Sequence, residues 1–186
     1  FAGVRYSQAV IQDCDLGEVD FAGASIAKAA FVGIRANQAC FRELALVAGC
    51  FALGCQLNGA DFQGARLNEV SFRDTPLRGA DFSQAQVRGS DFSGCDLSES
   101  HFYAADARGA RLVRADLRGA DLGSCNLAGA VLQHAIIART ELSHANLHEA
   151  DLARIRVGDR VRFEGALFSR ARTRPRHRPA PSEGGV

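Results

Sequence analysis

The sequence predicts an all-β solenoid, in which the chain winds as a narrow coil around a filled core. Two observations support this fold class. A large apolar residue recurs every five positions, and a small residue recurs two positions before it. A helix would repeat at about 3.6 residues and a strand would alternate strictly, so neither explains the pattern. Coils stacked about 4.8 Å apart do explain it, because equivalent positions then form ladders.

The large positions, called centres below, keep their period without interruption from Leu57 to Val157. Units such as ADFQG at 60–64, SDFSG at 90–94 and ADLRG at 115–119 show the pattern clearly. The small positions include cysteines as well as alanines, namely Cys14, Cys55, Cys95 and Cys125. We therefore expect centres and small residues to face inward, and the other three positions of each unit to face solvent.

Two single-residue insertions interrupt the period. In the first segment the centres run from Phe1 to Phe51, and the next centre, Leu57, follows six residues later, which places an extra residue near Gly54. A second extra residue separates Val157 from Phe163. The sequence thus predicts a first stack at 1–53, a second stack at 54–170 and a disordered Arg/Pro-rich tail at 171–186.

These units resemble the A(D/N)Lxx motif of the pentapeptide-repeat family, and the resemblance covers about residues 1–168. It implies a right-handed quadrilateral parallel β-helix, in which each unit forms one side of a square coil and four units complete a turn. The motif encodes a scaffold, so it says much less about function.

Composition favours a folded protein that binds other molecules with its surface. The chain is 47% hydrophobic, and its formal charge of +1 hides an acidic body, with 18 acidic and 14 basic residues in 1–155, and a basic end, with 8 arginines and 3 acidic residues in 156–186. No Ser/His/Asp, Cys/His or CxxC grouping is apparent, and no apolar run is long enough to span a bilayer. We expect a cytoplasmic, reduced, non-enzymatic protein with no cofactor, metal or membrane association.

One face carries a ladder of acidic residues, because positions 20 apart stack directly. The face centred on Phe62, Phe82, Phe102, Leu122 and Leu142 displays Asp61, Asp81, His101, Asp121 and Glu141, and it extends back to Asp20 across the first insertion. Its outward positions between 57 and 157 contain no Lys or Arg. The alternative is that these carboxylates are only the consensus Asp of the repeat.

This ladder is similar to the acidic surface of Qnr-type and MfpA-type members of the family, which are thought to imitate DNA. The resemblance implies a protein partner, a type II topoisomerase such as DNA gyrase or topoisomerase IV, and protection against inhibitors such as quinolones. It also implies that the solenoid itself does not bind nucleic acid. Those proteins are more acidic overall, and several carry projecting loops and a C-terminal helix that this sequence does not show.

Apolar residues occupy some positions that should face water. Val47, Cys50 and Leu53 lie at the first insertion, and Val131 and Ile136 form a smaller patch. Such a strip is either a contact surface or the sign of a local distortion that buries it. The alternative function is therefore a generic protein-interaction scaffold, and a homodimer through a terminal coil is a further expectation.

Overall fold

A computed structural model describes residues 1–52 and 54–174. Along these ranges, equivalent residues of successive coils pair in parallel. Most pairs are 20 residues apart, as in Asp81 with His101 and Asp91 with Arg111. Residues 1–52 and 54–174 form no α-helix, so they contain no helix that could cross a membrane. The predicted all-β, four-sided parallel solenoid is confirmed.

Regular strands are short and lie mainly in the first coils. They are β1 (Arg5–Ser7), β2 (Val10–Gln12), β3 (Ser25–Ala27), β4 (Ala30–Val32), β5 (Ala45–Val47), β6 (Cys50–Ala52), β7 (Ile136–Ile137) and β8 (Arg156–Val157). They form parallel sheets in the orders β1-β3-β5, β2-β4-β6 and β7-β8. Elsewhere a single bridging residue precedes each centre, because a five-residue unit leaves room for little more before the next corner.

The corners are β-turns that begin at the centre. The amide of Ala80 donates to the carbonyl of Leu77 at 3.0 Å, and the same bond recurs three residues after other centres. The residue two after the centre has a positive φ, 61° at Glu99 for example, as a type II turn requires. At Gly94 a Cβ would meet Oδ1 of Asp74, whose exposed side chain would have to move to make room for it.

Stacked side chains fill the core. We number the faces from the one centred on Phe62 (face 1) through those centred on Leu67 (face 2), Phe72 (face 3) and Leu77 (face 4). Phe62 and Phe82 stack on face 1 with ring centroids 4.8 Å apart, while Phe62 meets Phe72 of the opposite face edge-on at 5.8 Å. Beyond Phe102 the buried centres are Leu, Ile or Ala.

Polar atoms at the small inward positions bond to the backbone of the preceding coil. Sγ of Cys95 donates to the carbonyl of Phe72 at 2.8 Å, and Oγ1 of Thr140 donates to that of Leu117 at 2.8 Å. Burial raises the pKa of the Cys95 thiol to about 12. This cysteine is therefore a small core residue and not a reactive thiolate.

The insertions lengthen individual coils without interrupting the stack. Asp20 pairs with Cys40, 20 residues on, but Cys40 pairs with Asp61, 21 residues on, and Glu141 pairs with Arg162 in the same way. The rings of Phe41 and Phe62 still stack across the first insertion at 4.9 Å. The division into a first and a second stack stays a prediction.

Both ends of the described solenoid are open. This corrects the expectations that every centre and every small residue is buried in the core. The terminal centres Phe1, Tyr6, Val157, Phe163 and Phe168 are substantially exposed. Cys14 is exposed as well, although it holds the small inward position. These residues have the predicted register, but a terminal coil has a neighbouring coil on one side only, so most of its centres are exposed; Leu16 is an exception and is buried. Most of the tail, from 175 to 186, lies outside the described residues, and its predicted disorder stays a prediction.

Candidate protein-binding surfaces

The acidic residues of face 1 form the ladder that the period predicted. Parallel bridges join its members in one column, which runs Asp20, Cys40, Asp61, Asp81, His101, Asp121, Glu141, Arg162. Besides His101, which the sequence already placed in the ladder, the column contains two members that were not predicted to belong to it. Cys40 lies between Asp20 and Asp61, and Arg162 ends the column after the second insertion.

Each carboxylate of the ladder also stabilises its own turn. Oδ1 of Asp81 accepts a hydrogen bond from the amide of Ser83 at 2.8 Å, and Oδ1 of Asp121 accepts one from Gly123 at 2.9 Å. Asn146 makes the same bond to His148 at 3.0 Å. The repeat therefore needs an oxygen acceptor here, but it does not need a negative charge.

Hydrogen bonds hold the two ends of the ladder in the ionised state. The amide of Ala22 and the thiol of Cys40 lower the pKa of Asp20. Hydrogen bonding from Ser143, assisted by the Arg162 guanidinium, lowers the pKa of Glu141 against the opposing effect of burial. Both groups therefore carry full negative charge at neutral pH.

The middle of the ladder lacks ion-pair partners within residues 1–52 and 54–174. Arg42 lies 3.6 Å from Asp61, and Arg162 lies 3.4 Å from Glu141, so these two carboxylates are compensated, whereas Asp20, two coils before Asp61, is in no ion pair in these ranges. The structure pairs neither Asp81 nor Asp121 with a cation in these ranges. The uncompensated charge on face 1 is thus centred on Asp81 and Asp121, on either side of His101.

Carboxylates on the other faces are largely neutralised by neighbouring arginines. Asp106 on face 2 lies 2.6 Å from Arg88 and 2.8 Å from Arg108. On faces 3 and 4 the corresponding pairs are Asp91 with Arg73, Asp116 with Arg118, and Glu99 with Arg78. Glu69, Asp74 and Asp96 on the other faces also have no ion pair among the described residues, but they lie in separate columns, whereas the unpaired Asp81 and Asp121 share one column on face 1.

A tyrosine lies beside the unpaired carboxylates. Tyr103 follows the centre Phe102 on face 1, and its side chain is 51% exposed. Its ring covers Gly123 of the next coil, where a Cβ would lie 3.4 Å from Cδ2 of Tyr103. Sequence reasoning did not single out this residue, although Gln, Ser or Gly holds the equivalent place at 63, 83, 123 and 143.

The apolar strip at the first insertion lies on two faces. Val47 belongs to β5 on face 2 and is 61% exposed, whereas Cys50 belongs to β6 on face 3 and is partly buried. Leu53 lies outside the described residues. Face 3 extends the strip through Val10, which is 70% exposed, and Val32 of β4. The 20-residue spacing of residues 10, 30 and 50 could have indicated this extension.

The second apolar patch is separate from the first. Val131 bridges Arg111 and Asp151 on face 3, and Ile136 begins β7 on face 4. Four bridges, about 19 Å at the coil spacing, separate Cys50 from Val131 along face 3. Both residues are partly buried, so this patch is a minor surface feature.

In the described part of the chain, no three His, Cys, Asp or Glu side chains are grouped closely enough to hold a metal ion. The two apolar cavities, with volumes of about 210 and 270 Å³, lie at the open ends, where Phe1, Tyr6, Phe163 and Phe168 are among the lining residues. The ladder and the apolar strip are therefore the two candidate protein-binding surfaces.

Comparison with known proteins settles the family. The model for a pentapeptide repeat region matches residues 50–122, and the model for eight-copy pentapeptide repeats matches residues 125–156. This chain belongs to the pentapeptide-repeat family. No curated protein matches its sequence.

Solved pentapeptide-repeat structures share the fold of this pentapeptide-repeat protein at low identity. HetL from the cyanobacterium Nostoc sp., involved in heterocyst differentiation regulation, is 20% identical with a TM-score of 0.54, and the match covers 92% of this chain and 88% of HetL. A trypsin-treated variant of QnrB1, a plasmid-mediated fluoroquinolone resistance protein, is 22% identical with a TM-score of 0.52, and the match covers 90% and 83%. These likenesses show the fold alone.

The paired carboxylate Asp106 should stabilise the pentapeptide-repeat solenoid in a pH-dependent manner. Hydrogen bonds from Arg108, opposed by burial and aided by Arg88, lower the pKa of Asp106 from 3.8 to about 2. A depressed pKa contributes stability above the unfolded value, and this contribution is lost as pH falls from near 4 to about 2. We expect Asp106→Asn to lower the free energy of unfolding at pH 7 by about 1–2 kcal/mol.

Urea denaturation at a series of pH values measures this effect. The difference between parent and Asp106→Asn should shrink as pH falls toward 2. Asp96→Asn is the matched control, since Asp96 accepts hydrogen bonds from Ser98 and has no ion pair among the described residues. It should change stability by less than about 0.5 kcal/mol. If the free energies of unfolding of the parent and of Asp106→Asn differed by the same amount at every pH, the lowered pKa of Asp106 would not be the source of the stability.

Proposed function

We propose that this pentapeptide-repeat protein uses face 1 to bind the DNA-binding surface of a type II topoisomerase, gyrase or topoisomerase IV, and thereby alters the response of that enzyme to inhibitors such as quinolones. The observation that carries the proposal is the pair of uncompensated carboxylates, Asp81 and Asp121, in a column where Asp61 and Glu141 are also ionic. Carboxylates elsewhere on the second stack are mostly paired with arginine.

The electrostatic argument depends on spacing. Asp61 and Asp81 occupy adjacent coils, about 4.8 Å apart, and Asp81 and Asp121 are separated by two coils across His101. The adjacent carboxylates Asp61 and Asp81 lie within one Debye length at physiological salt, about 8 Å, so their fields add. Asp81 and Asp121, about 9.6 Å apart, lie slightly beyond one Debye length, so salt screens their mutual reinforcement more strongly. A basic, DNA-binding saddle would meet a linear array of negative charge on a narrow rod. Binding should weaken as salt rises.

The repeat consensus alone does not explain this surface. Hydrogen bonding to the turn accounts for an oxygen acceptor at the position before the centre, and Asn126 and Asn146 supply it without charge on face 2. Face 1 keeps carboxylates at Asp61, Asp81, Asp121 and Glu141. The fold tolerates their charge but does not require it.

Tyr103 is the expected anchor of this interface. It is an exposed aromatic beside Asp121, and interface residues that dominate binding are often Tyr surrounded by polar groups. We expect Tyr103→Ala to weaken topoisomerase binding by at least about tenfold. Melting temperature should change little, since the ring covers only Gly123. Tyr103→Phe keeps the ring and removes the hydroxyl, so it distinguishes their contributions. Equal affinity of the parent and Tyr103→Ala would show that this part of face 1 is outside the interface.

Gyrase supercoiling assays with and without a quinolone test the function directly. The protein should reduce supercoiling when added alone in excess, as a competitor for the DNA site, or preserve supercoiling when the drug is present. Direct binding is measured in parallel by surface plasmon resonance on the purified enzyme. Absence of binding to both gyrase and topoisomerase IV would remove the proposal.

A scaffold that binds another protein through the apolar strip is the second candidate. It is favoured by the exposure of Val47 and by the continuation of apolar residues through Val10 and Val32. The two candidates differ in the face used. If the protein is a scaffold, Val47→Lys should abolish binding of its partner. If the protein binds a topoisomerase through face 1, Val47→Lys should leave that binding unchanged.

A further inference from the structure

We propose that the C-terminal end of the solenoid binds the phosphate backbone of nucleic acid through a cluster of arginines, here called the arginine end: Arg139, Arg154, Arg156, Arg160 and Arg162. This surface adjoins the C-terminal end of face 1, since Glu141 and Arg162 also belong to the column of the ladder, but the proposal does not depend on the proposed binding of a topoisomerase. It revises the expectation that the solenoid makes no contact with nucleic acid, which the resemblance to DNA-mimicking relatives had suggested.

Winding of the chain brings these arginines together from separate parts of the sequence. Arg139 follows β7 on face 4, and Arg156 lies in β8, which pairs with β7 in parallel. The amide of Arg139 donates to the carbonyl of Asp159 at 2.7 Å, which places Arg160 against the same edge. Arg154 lies two residues before Arg156, on the other side of the corner between faces 3 and 4.

Most of this positive charge is uncompensated. Arg139, Arg154 and Arg156 are exposed and have no ion-pair partner in the described ranges. Arg160 has only a distant contact with Asp159, at 3.9 Å, where both side chains are largely exposed. By contrast, Arg170 and Arg172 beyond them are paired with Glu149 and Asp151 at 3.2 and 2.6 Å.

Part of the arginine end is concave. Arg139, Thr140, Glu141, Arg160 and Arg162 line a cleft with a volume of about 340 Å³. Its one carboxylate, Glu141, is 3.4 Å from Arg162. Three guanidinium groups against one carboxylate leave the cleft net positive, and the cleft is large enough for a phosphate group with part of its sugar.

The chemistry of the cluster fits phosphate in a polymer. Every cation in it is arginine, whose planar fork donates two parallel hydrogen bonds to a phosphate and keeps its charge at any physiological pH. Arg139 and Arg160 lie on successive coils, with backbones about 5 Å apart. Arg154 and Arg156 lie on the same coil as Arg160, on either side of the corner between faces 3 and 4. A nucleic acid carries a charge on every nucleotide and can meet such a series without a matching fold, whereas an acidic protein would need carboxylates at corresponding positions.

The test compares two variants that remove equal charge. In the first, Arg139, Arg154, Arg156 and Arg160 are replaced by Gln. In the control, Gln replaces four exposed cations that have no ion pair among the described residues and lie elsewhere on the rod: Arg5, Lys28, Arg66 and Arg114. Glutamine suits these positions, because Gln38 and Gln84 already adopt the positive φ of Arg139 and Arg154, at 60° each. Equal melting temperatures establish that both variants fold.

Fluorescence anisotropy with a short labelled DNA duplex, on the full chain at several salt concentrations, provides the readout. We expect the parent to bind with a strong salt dependence. Removing the four arginines should weaken binding at least about tenfold and reduce the slope of log K against log salt by about 3–4, close to one per lost phosphate contact. The control should stay within about twofold of the parent.

Several outcomes would overturn the proposal. They are no binding of the duplex by the parent, equal losses in the two variants, and a loss seen only when residues 175–186 are deleted. Two further probes address other anionic partners. Binding of the parent to polyglutamate or to anionic phosphatidylserine vesicles as tightly as to the duplex, at equal charge concentration, would assign the arginine end to acidic proteins or to membranes instead.

Discussion

Leu122→Asp is expected to unfold the protein or to lower its melting temperature drastically. Leu122 is only 1% exposed and lies in register between Phe102 and Leu142 on face 1. A carboxylate there would have neither water nor a cation, at a cost of several kcal/mol, which is a large part of the total stability of a domain of this size. Thermal and urea denaturation followed by circular dichroism measure the loss.

Arg114→Asp is the matched control for this substitution. Arg114 is exposed, has no ion pair in the described part of the chain, and lies on face 3 at a turn position with φ 61°. Asp74 holds the equivalent place two coils earlier with φ 55°, so an aspartate suits the backbone there. We expect a change within about ±0.5 kcal/mol. Arg118 would be a poorer control, because it is paired with Asp116 at 2.5 Å. Similar losses for the two variants would contradict the inward and outward assignments.

Neutralising the ladder is expected to abolish topoisomerase binding while leaving the fold intact. The variant carries Asp61→Asn, Asp81→Asn, Asp121→Asn and Glu141→Gln. Each new amide keeps the oxygen that accepts the turn hydrogen bond, as Asn146 does now. The variant loses a closely spaced charge array, and we expect affinity for gyrase at physiological salt to fall at least about a hundredfold. Surface plasmon resonance and supercoiling assays provide the measurements.

The control removes the same charge from face 4 and its following loop, by amides at Asp96, Glu99, Asp116 and Asp159. Two of these are paired with arginines, Glu99 with Arg78 and Asp116 with Arg118, while Asp159 lies 3.9 Å from Arg160. All four lie on a different side of the coil from the ladder, so their removal should change the potential over face 1 less than neutralising the ladder does, and binding should be largely retained. If both variants lose binding alike, net charge governs the interaction and face 1 has no special role. A double variant, Asp81→Asn with Asp121→Asn, isolates the two unpaired carboxylates.

Much of the candidate site could be predicted from the five-residue period. The resemblance to the pentapeptide-repeat family implies four such units per turn, so that residues 20 apart stack, and this placed Asp61, Asp81, Asp121 and Glu141 in one column and extended it to Asp20. It did not show which of these charges are compensated. That depends on side-chain reach across coils, as in the contacts of Arg42 with Asp61 and of Arg162 with Glu141.

The apolar strip shows the same limit. Its position at the first insertion was readable from Val47 and Cys50, but their exposure was not. Val47 is largely exposed, whereas Cys50 is partly buried. Sequence reasoning also missed Val10 and Tyr103, whose exposure depends on the coil above or below and not on their own unit.

The sequence by itself determined the fold, the inward and outward positions and the columns, because the five-residue period marks the inward positions and the resemblance to the pentapeptide-repeat family implies four units per coil. Tertiary structure alone decided the rest. The exposure of Phe163 and Phe168 follows from the open end of the stack, and the meeting of Arg139 with Arg160 and Arg162 follows from a coil lengthened by one residue. Both features depend on which side chains the neighbouring coil brings close. Contacts between coils determine burial and charge compensation.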